Sequence, residues 1–334
     1  MLPDKPSGKQ PDQRWKLYGL LLILAVNLAW IGWGRSRKTV SASEVAGPVT
    51  KVSEAVSKSI SNFESSDRTE AGYRTYELPQ ATVHVVSVPA WSDVSIAVAD
   101  ELKTVADFAR EVAHESEGAI AILNAGFFDP NNGKTTSHLI QAGQNAGDPA
   151  ANEGLTGNPK LQPLLPQIFN RSEFRVYDCP LVGMLHPYDI TFHDVPAPEG
   201  CTIQSAVGAG PQLLPEDTSE VEAFKTYEDG ELVRDAIGSM GPNARSAIAL
   251  HPDGNLSLIM AAQRSDGARG LTLAELADFA KSIGATQLLN LDGGSSSSLY
   301  YDGQVHLARL NGEGNPIQRP VKSVIVVRQF RLSD

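Results

Sequence analysis

Cysteine is almost missing from this chain of 334 residues: Cys179 and Cys201 are the only two. Neither a CxxC pair nor a Cys/His cluster accompanies them, which excludes a structural zinc module. Basic residues are also scarce, 28 Lys and Arg against 39 Asp and Glu. Seven of the basic and two of the acidic residues fall in the first 38 positions, leaving 21 against 37, a balance of −16, for the remainder. A surface that acidic repels phosphates, so nonspecific nucleic-acid binding is excluded. Only one apolar run is long enough to span a bilayer, which rules out a polytopic membrane protein. Hydrophobic residues at 41% and charged residues at 20% exclude a wholly disordered or fibrous chain. Familiar catalytic signatures are missing too. There is no P-loop. Gly208-Ala209-Gly210 has Leu213 where a dinucleotide fingerprint needs a small residue, and no glycine stands two residues after Ser295, as a nucleophile elbow requires.

The one long apolar run is Leu17 to Gly34, LYGLLLILAVNLAWIGWG, which carries no charge. Trp15, Tyr18, Trp30 and Trp33 stand near its ends, where amphipathic rings favour the membrane interface. The expectation is a cytoplasmic leader over 1–16, one transmembrane anchor over 17–34, a linker over 35–75 and a domain over 76–330. Lys5, Lys9, Arg14 and Lys16 before the run, against three basic residues just after it, place the N-terminus in the cytoplasm and the domain in the periplasm or outside the cell. A cleaved signal peptide is the rival reading. Val40-Ser41-Ala42 resembles a cleavage site, but Arg35, Arg37 and Lys38 stand between it and the apolar run. The linker is rich in Ser, Thr, Glu and Ala, with a short helix expected over 49–60. In an exported domain, Cys179 and Cys201 would form a disulfide; two separate buried thiols are the alternative.

Within the domain, Val83–Val88 and Val94–Val98 are β-rich runs split by a turn-like cluster at 89–93. Thr104 with Asp107 marks a helix start, and Ile120–Leu123 is a short buried strand. The Asn-, Gly-, Pro- and Gln-dense stretch 129–175 is expected to be a lid or insertion, with His138 solvated on it. Ser246–Leu250 and Leu256–Ala262 flank an Asp-Gly turn and predict a hairpin. Thr272 and Glu275 form a capping box for a helix over 271–283, closed by Gly284. Leu288–Leu291 and the uniformly apolar Val321–Val327 complete the set as buried strands. The expected fold is α+β, a mixed β-sheet core with flanking helices.

Three segments place polar side chains and glycines at strand ends: Asn124 to Asp129, Gly208 to Pro211, and Asn290 to Ser298. A strand fixes such a side chain, and the glycines let a ligand approach the backbone. Successive amides over Gly293 to Ser296 are candidates for an anion-binding nest, with a plain tight turn as the competing reading. Arg245 opens the first strand of the hairpin, where a bidentate fork would hold a phosphate; a surface salt bridge is its alternative.

Six segments, taken in order, resemble one family. They are NAGFFD at Asn124–Asp129, GAGPQLL at Gly208–Leu214, ARSAIAL at Ala244–Leu250, GLTLAELADFAKSIGA at Gly270–Ala285, NLDGGSSSSL at Asn290–Leu299 and RPVKSVIVV at Arg319–Val327. Together they are similar to the phosphodiester glycosidase domain, over roughly residues 80 to 328, and point to a bacterial, membrane-anchored member. The resemblance implies hydrolysis of a sugar-1-phosphodiester to free sugar and phosphate monoester. Such chemistry proceeds through an oxocarbenium-like state and calls on carboxylates, for which Asp292 and Asp129 are best placed. Arg245 with the Gly293 and Gly294 amides would stabilise the phosphate. Asn124, Asn290, Ser295 and Gly210 would complete substrate binding. A divalent cation stays open as a cofactor, with no specific ligand pattern in its favour. The expected partners are a carbohydrate phosphodiester and, through residues 17–34, a membrane. The alternative function is a non-catalytic carbohydrate-binding protein of the same fold.

Overall fold

The computed structural model describes residues 71–113, 119–180 and 188–328. The expected leader, anchor, most of the linker and the helix at 49–60 lie outside the described residues. Among the described residues no helix is long and apolar enough to cross a membrane.

Among the described residues, sixteen of eighteen strands, numbered in chain order, form three principal sheets, and the pairings within them are antiparallel. The first sheet runs β1 (Gly72–Glu77), β2 (Thr82–Val88), β14 (Leu256–Ala262), β13 (Arg245–Leu250), β15 (Gln287–Asn290), β10 (Gln212–Leu214). The second runs β17 (Gln304–Leu307), β16 (Ser298–Tyr301), β4 (Ala119–Asn124), β18 (Val321–Arg328), β3 (Asp93–Lys103). The third runs β6 (Gln144–Gly147), β5 (Leu139–Gln141), β9 (Thr202–Gly208), β7 (Ser172–Asp178), β8 (Tyr188–Phe192). A separate hairpin joins β11 (Lys225–Glu228) to β12 (Glu231–Asp235). β1 pairs along β2 at the edge of the first sheet, from Gly72 to Glu77.

Side chains alternate between two cores, as the period of a strand requires. Ile248 of β13 points into a central core with Val86, Leu258, Leu123, Ile325, Phe174 and Val207, which gathers residues of all three sheets. Its neighbours Ala247 and Ala249 face the helix Leu273–Ser282 with Val83, Ile259, Leu276 and Phe279. On the second sheet, Ile325 and Val327 point inward while Val324 and Val326 meet Phe108 and Val112 of the helix Val105–Ala113. A strand covered on both faces has no solvent side, which is why β18 reads as uninterrupted apolar sequence. Each large side chain so enclosed stabilises the fold by about 1.5–3 kcal/mol. Both helix starts follow their sequence signals. Thr104 and Asp107 exchange backbone and side-chain hydrogen bonds, and Thr272 and Glu275 form the expected capping box.

The mixed core with flanking helices is thus present in outline, although strands far outnumber helices. The stretch 129–175 departs from expectation. Rather than a lid apart from the core, it supplies β5, β6 and the start of β7, with Leu139 and Phe174 in the central core. Its strands are short and broken by turn residues, so no alternation long enough to register appears in the sequence. His138 is not a solvated residue. Its ring stacks on His193 at 3.6 Å, and Nε2 hydrogen-bonds the Phe169 carbonyl. Burial first, and the neighbouring His193 second, hold its pKa below the ordinary histidine value.

Cys179 and Cys201 are joined in a disulfide. It ties the end of β7 to the start of β9 across the excursion that carries β8. Loop-closure entropy for a ring of that length is worth about 3 kcal/mol. Thermal unfolding with and without a reductant is expected to show a lower midpoint for the reduced protein; equal midpoints would remove the bridge from the stability of the domain.

Candidate active site

The three strand-end segments converge. The Asp292 amide donates to the Ala125 carbonyl at 2.9 Å, and Asn124 Nδ2 donates to the Asp292 carbonyl at 2.6 Å. The Gly210 amide donates to the Asn290 carbonyl, and Asn290 Nδ2 returns a bond to the Gly210 carbonyl, both at 2.9 Å. Gly126 lies so close to β9 that a Cβ there would stand 3.0 Å from the Gly208 carbonyl. The ends of β4, β9 and β15, one from each sheet, therefore meet at one place.

Asp292 is the ionisable group at that meeting point. It is densely surrounded by protein yet keeps part of its surface open. Burial raises its pKa to about 6 against the opposing pull of the Ser296 hydroxyl, the Arg319 guanidinium and the Gly293 amide. Asn124 is fully buried and positions this turn. Its Oδ1 accepts from Ser246 Oγ at 2.7 Å and from the Ser298 amide at 3.1 Å while its Nδ2 holds the Asp292 carbonyl. Asn290 acts likewise on the Gly210 segment. Gly210 has φ +110°, and a Cβ on it would collide with the Glu222 carboxylate, so only glycine suits this position. Glu222 is buried and accepts hydrogen bonds from the Ser172 amide and hydroxyl, the Gln212 amide and the Thr218 hydroxyl. Burial nonetheless outweighs those bonds and raises its pKa.

The structure revises the reading of Arg245 and adds detail on the Gly293–Ser296 turn and on Asp129. Arg245 is only 2% exposed, and its guanidinium donates to the carbonyls of Leu271, Ile237, Gly238 and Gly241. It fastens two loops and presents no fork to a phosphate. Of the amides in the expected nest, Gly294 donates to the Ala244 carbonyl, Ser296 to the Gly293 carbonyl, and the Gly293 amide bonds Asp292. Gly293 also contributes by close approach, since a Cβ there would stand 3.0 Å from the Ala244 carbonyl. Asp129 shapes its own turn. Its Oδ1 accepts from the Asn131 amide at 2.8 Å and side chain at 3.0 Å, and its Oδ2 lies against Gly154. Among the described residues no hydrogen bond or ion pair joins it to Asp292.

The cation of the site is Arg319. Nη1 donates to Ser295 Oγ at 2.9 Å, the guanidinium lies 5.3 Å from the Phe128 ring centroid, and its charge acts on Asp292. Arg319 stands at the head of the family-like segment before β18, so a search of strand starts as well as strand ends would have found it. Ser296 was hidden in a run of four serines. Among the described residues no group of three or more His, Cys, Asp or Glu could hold a metal ion.

A family model described as phosphodiester glycosidase matches residues 117–328. A search of curated proteins returns no match. Among solved structures, the catalytic domain of zebrafish N-acetylglucosamine-1-phosphodiester alpha-N-acetylglucosaminidase, described as auto-inhibited by its pro-peptide, aligns with TM-score 0.57 at 17% identity, covering 79% of this chain and 84% of that one. A hypothetical protein from Synechocystis aligns with TM-score 0.45 at 19% identity, covering 77% of this chain and 61% of that one. At this identity the structural likeness speaks to the fold alone. The family model, which spans well over half of the sequence, settles membership: the chain belongs to the phosphodiester glycosidase family, a family of hydrolases.

Proposed function

We propose that the protein is an exported glycosidase that hydrolyses a sugar-1-phosphodiester, releasing free sugar and a phosphate monoester. The observation that carries this reading is the Asp292 carboxyl group, enclosed where three strand ends meet, with Arg319 beside it. As a carboxylate, Asp292 supports the oxocarbenium-like anomeric centre and takes the proton of the attacking water. The bond between the anomeric carbon and the bridging oxygen breaks, and its electron pair leaves with the phosphate. A phosphodiester is already a good leaving group, so charge stabilisation matters more than protonation, and Arg319 provides the charge. Asn124 and Ser296 hold Asp292 in place. Export is supported by the charge-flanked apolar run over 17–34 and by a disulfide, which persists in oxidising compartments.

The full chain, incubated with an N-acetylglucosamine-1-phosphodiester and related sugar-1-phosphodiesters, is expected to release free sugar. A carboxylate acting as base makes kcat/KM rise with pH through about 6 and level off above it. A profile that falls over this range would assign Asp292 the role of acid.

A further inference from the structure

A second arginine is linked to the same turn through Asn243. Arg309 Nη1 donates to Asn243 Oδ1 at 2.6 Å, and Asn243 Nδ2 stands 3.8 Å from the place a Cβ would occupy on Gly294. Arg319 holds the next residue, Ser295. The two arginines also belong to one loop. The Ile317 amide donates to the Arg309 carbonyl at 2.8 Å, and Leu310 bridges to Pro316, so Arg309 and Arg319 lie at the base of its two arms. Both are half-buried, and each places one N–H on a neutral side-chain oxygen without forming an ion pair among the described residues. Arg319 shares its charge with Asp292, and Arg309 adds a second guanidinium near the same turn in a chain of net charge −11.

We propose that Arg309 and Arg319 form a two-armed clamp for the phosphate of the substrate, with Arg309, positioned by Asn243, as the residue that selects phosphodiesters over neutral glycosides. This rests on the glycosidase reading and extends it to a residue outside the Asp292 cluster. A phosphodiester carries one negative charge; the departing monoester gains the electron pair of the broken bond. A second arginine meets the charge that develops in that step, whereas a glycoside with an uncharged leaving group gives it no phosphate to hold.

The test separates binding from turnover. Affinity for inorganic phosphate is measured by calorimetry on the full chain for the wild type, Arg309→Met and Arg309→Gln. Arg110→Met, at an exposed position on the helix Val105–Ala113, controls for the loss of one positive charge. Removing one charge-assisted contact is expected to weaken phosphate binding at least about tenfold in both Arg309 variants and to leave the control unchanged. Arg309→Gln keeps a donor toward Asn243, so it also serves if Arg309→Met does not fold. Unchanged affinity in a folded Arg309 variant, or no phosphate binding by the wild type at millimolar concentration, overturns the clamp. In a parallel assay, Arg309→Gln is expected to lose at least about tenfold in kcat/KM on a sugar-1-phosphodiester while staying near wild type on an aryl glycoside of the same sugar. Equal losses on both substrates overturn the selectivity role. Phosphate binding that depends on Arg309, in a wild type that turns over neither substrate, leaves the clamp standing and removes the glycosidase reading.

Discussion

Asp292→Asn is expected to lower turnover of a sugar-1-phosphodiester by at least about a thousandfold and, at neutral pH, to make the protein more stable. The first effect follows from removing the carboxyl group that stands beside Arg319 at the meeting point of the three strand ends. The second follows from its pKa. The folded protein raises it from 3.8 to about 6, chiefly by burial, so folding works against the ionised form. The penalty is absent below the unfolded value, grows as pH rises from about 4 to 6, and is complete above 6. It amounts to about 3 kcal/mol, offset in part where the amide makes poorer hydrogen bonds than the carboxylate. Denaturant unfolding of the two proteins at pH 7 and pH 4 checks the sign: a gap that is present at 7 and closes at 4 is expected. A variant that keeps full turnover would remove Asp292 from the chemistry.

Arg245→Met is expected to act in the opposite way, destabilising the fold by about 3–5 kcal/mol. Four carbonyls, from Ile237, Gly238, Gly241 and Leu271, lose their charged donor, and the arginine side chain that leaves is itself buried. Burial has already pushed the guanidinium pKa down to about 10, yet the group stays charged at neutral pH, and methionine, which matches only the aliphatic stem, replaces none of its bonds. Arg319→Met, at a half-open position with one side-chain bond, is expected to change stability by less than about 1 kcal/mol. Midpoints of chemical unfolding for the two variants would distinguish the loop fastener from the site cation. Equal shifts would show that the two arginines have been assigned the wrong parts.

Residue patterns made much of this fold legible. The hairpin of β13 and β14, the capped helix before β15 and the apolar β18 all stand where periodicity and capping residues put them, because each is specified by neighbours in sequence. The three strand-end segments were also visible, since glycine next to a polar residue after an apolar run is a local signal. What escaped was set by distant partners. Arg245 and Arg319 are both arginines at the head of a strand, and only the loops that fold over them make one a fastener and leave the other facing Asp292. Asp129 has partners that its sequence position did not announce: Asn131, two residues on, and Gly154, beyond a turn and two strands.

Asn124 makes contacts that have a kinetic consequence. Its partners Ser246, Asp292 and Ser298 lie 122, 168 and 174 residues away along the chain. No contiguous piece of the polypeptide holds more than a fraction of the site, and closing loops of that span carries an entropic toll that precedes any gain from the contacts. Catalytic competence should therefore be acquired late in refolding, after the three sheets have docked, and disappear early when they part. A nascent chain emerging from its N-terminus would carry Asn124 long before Asp292 exists to meet it.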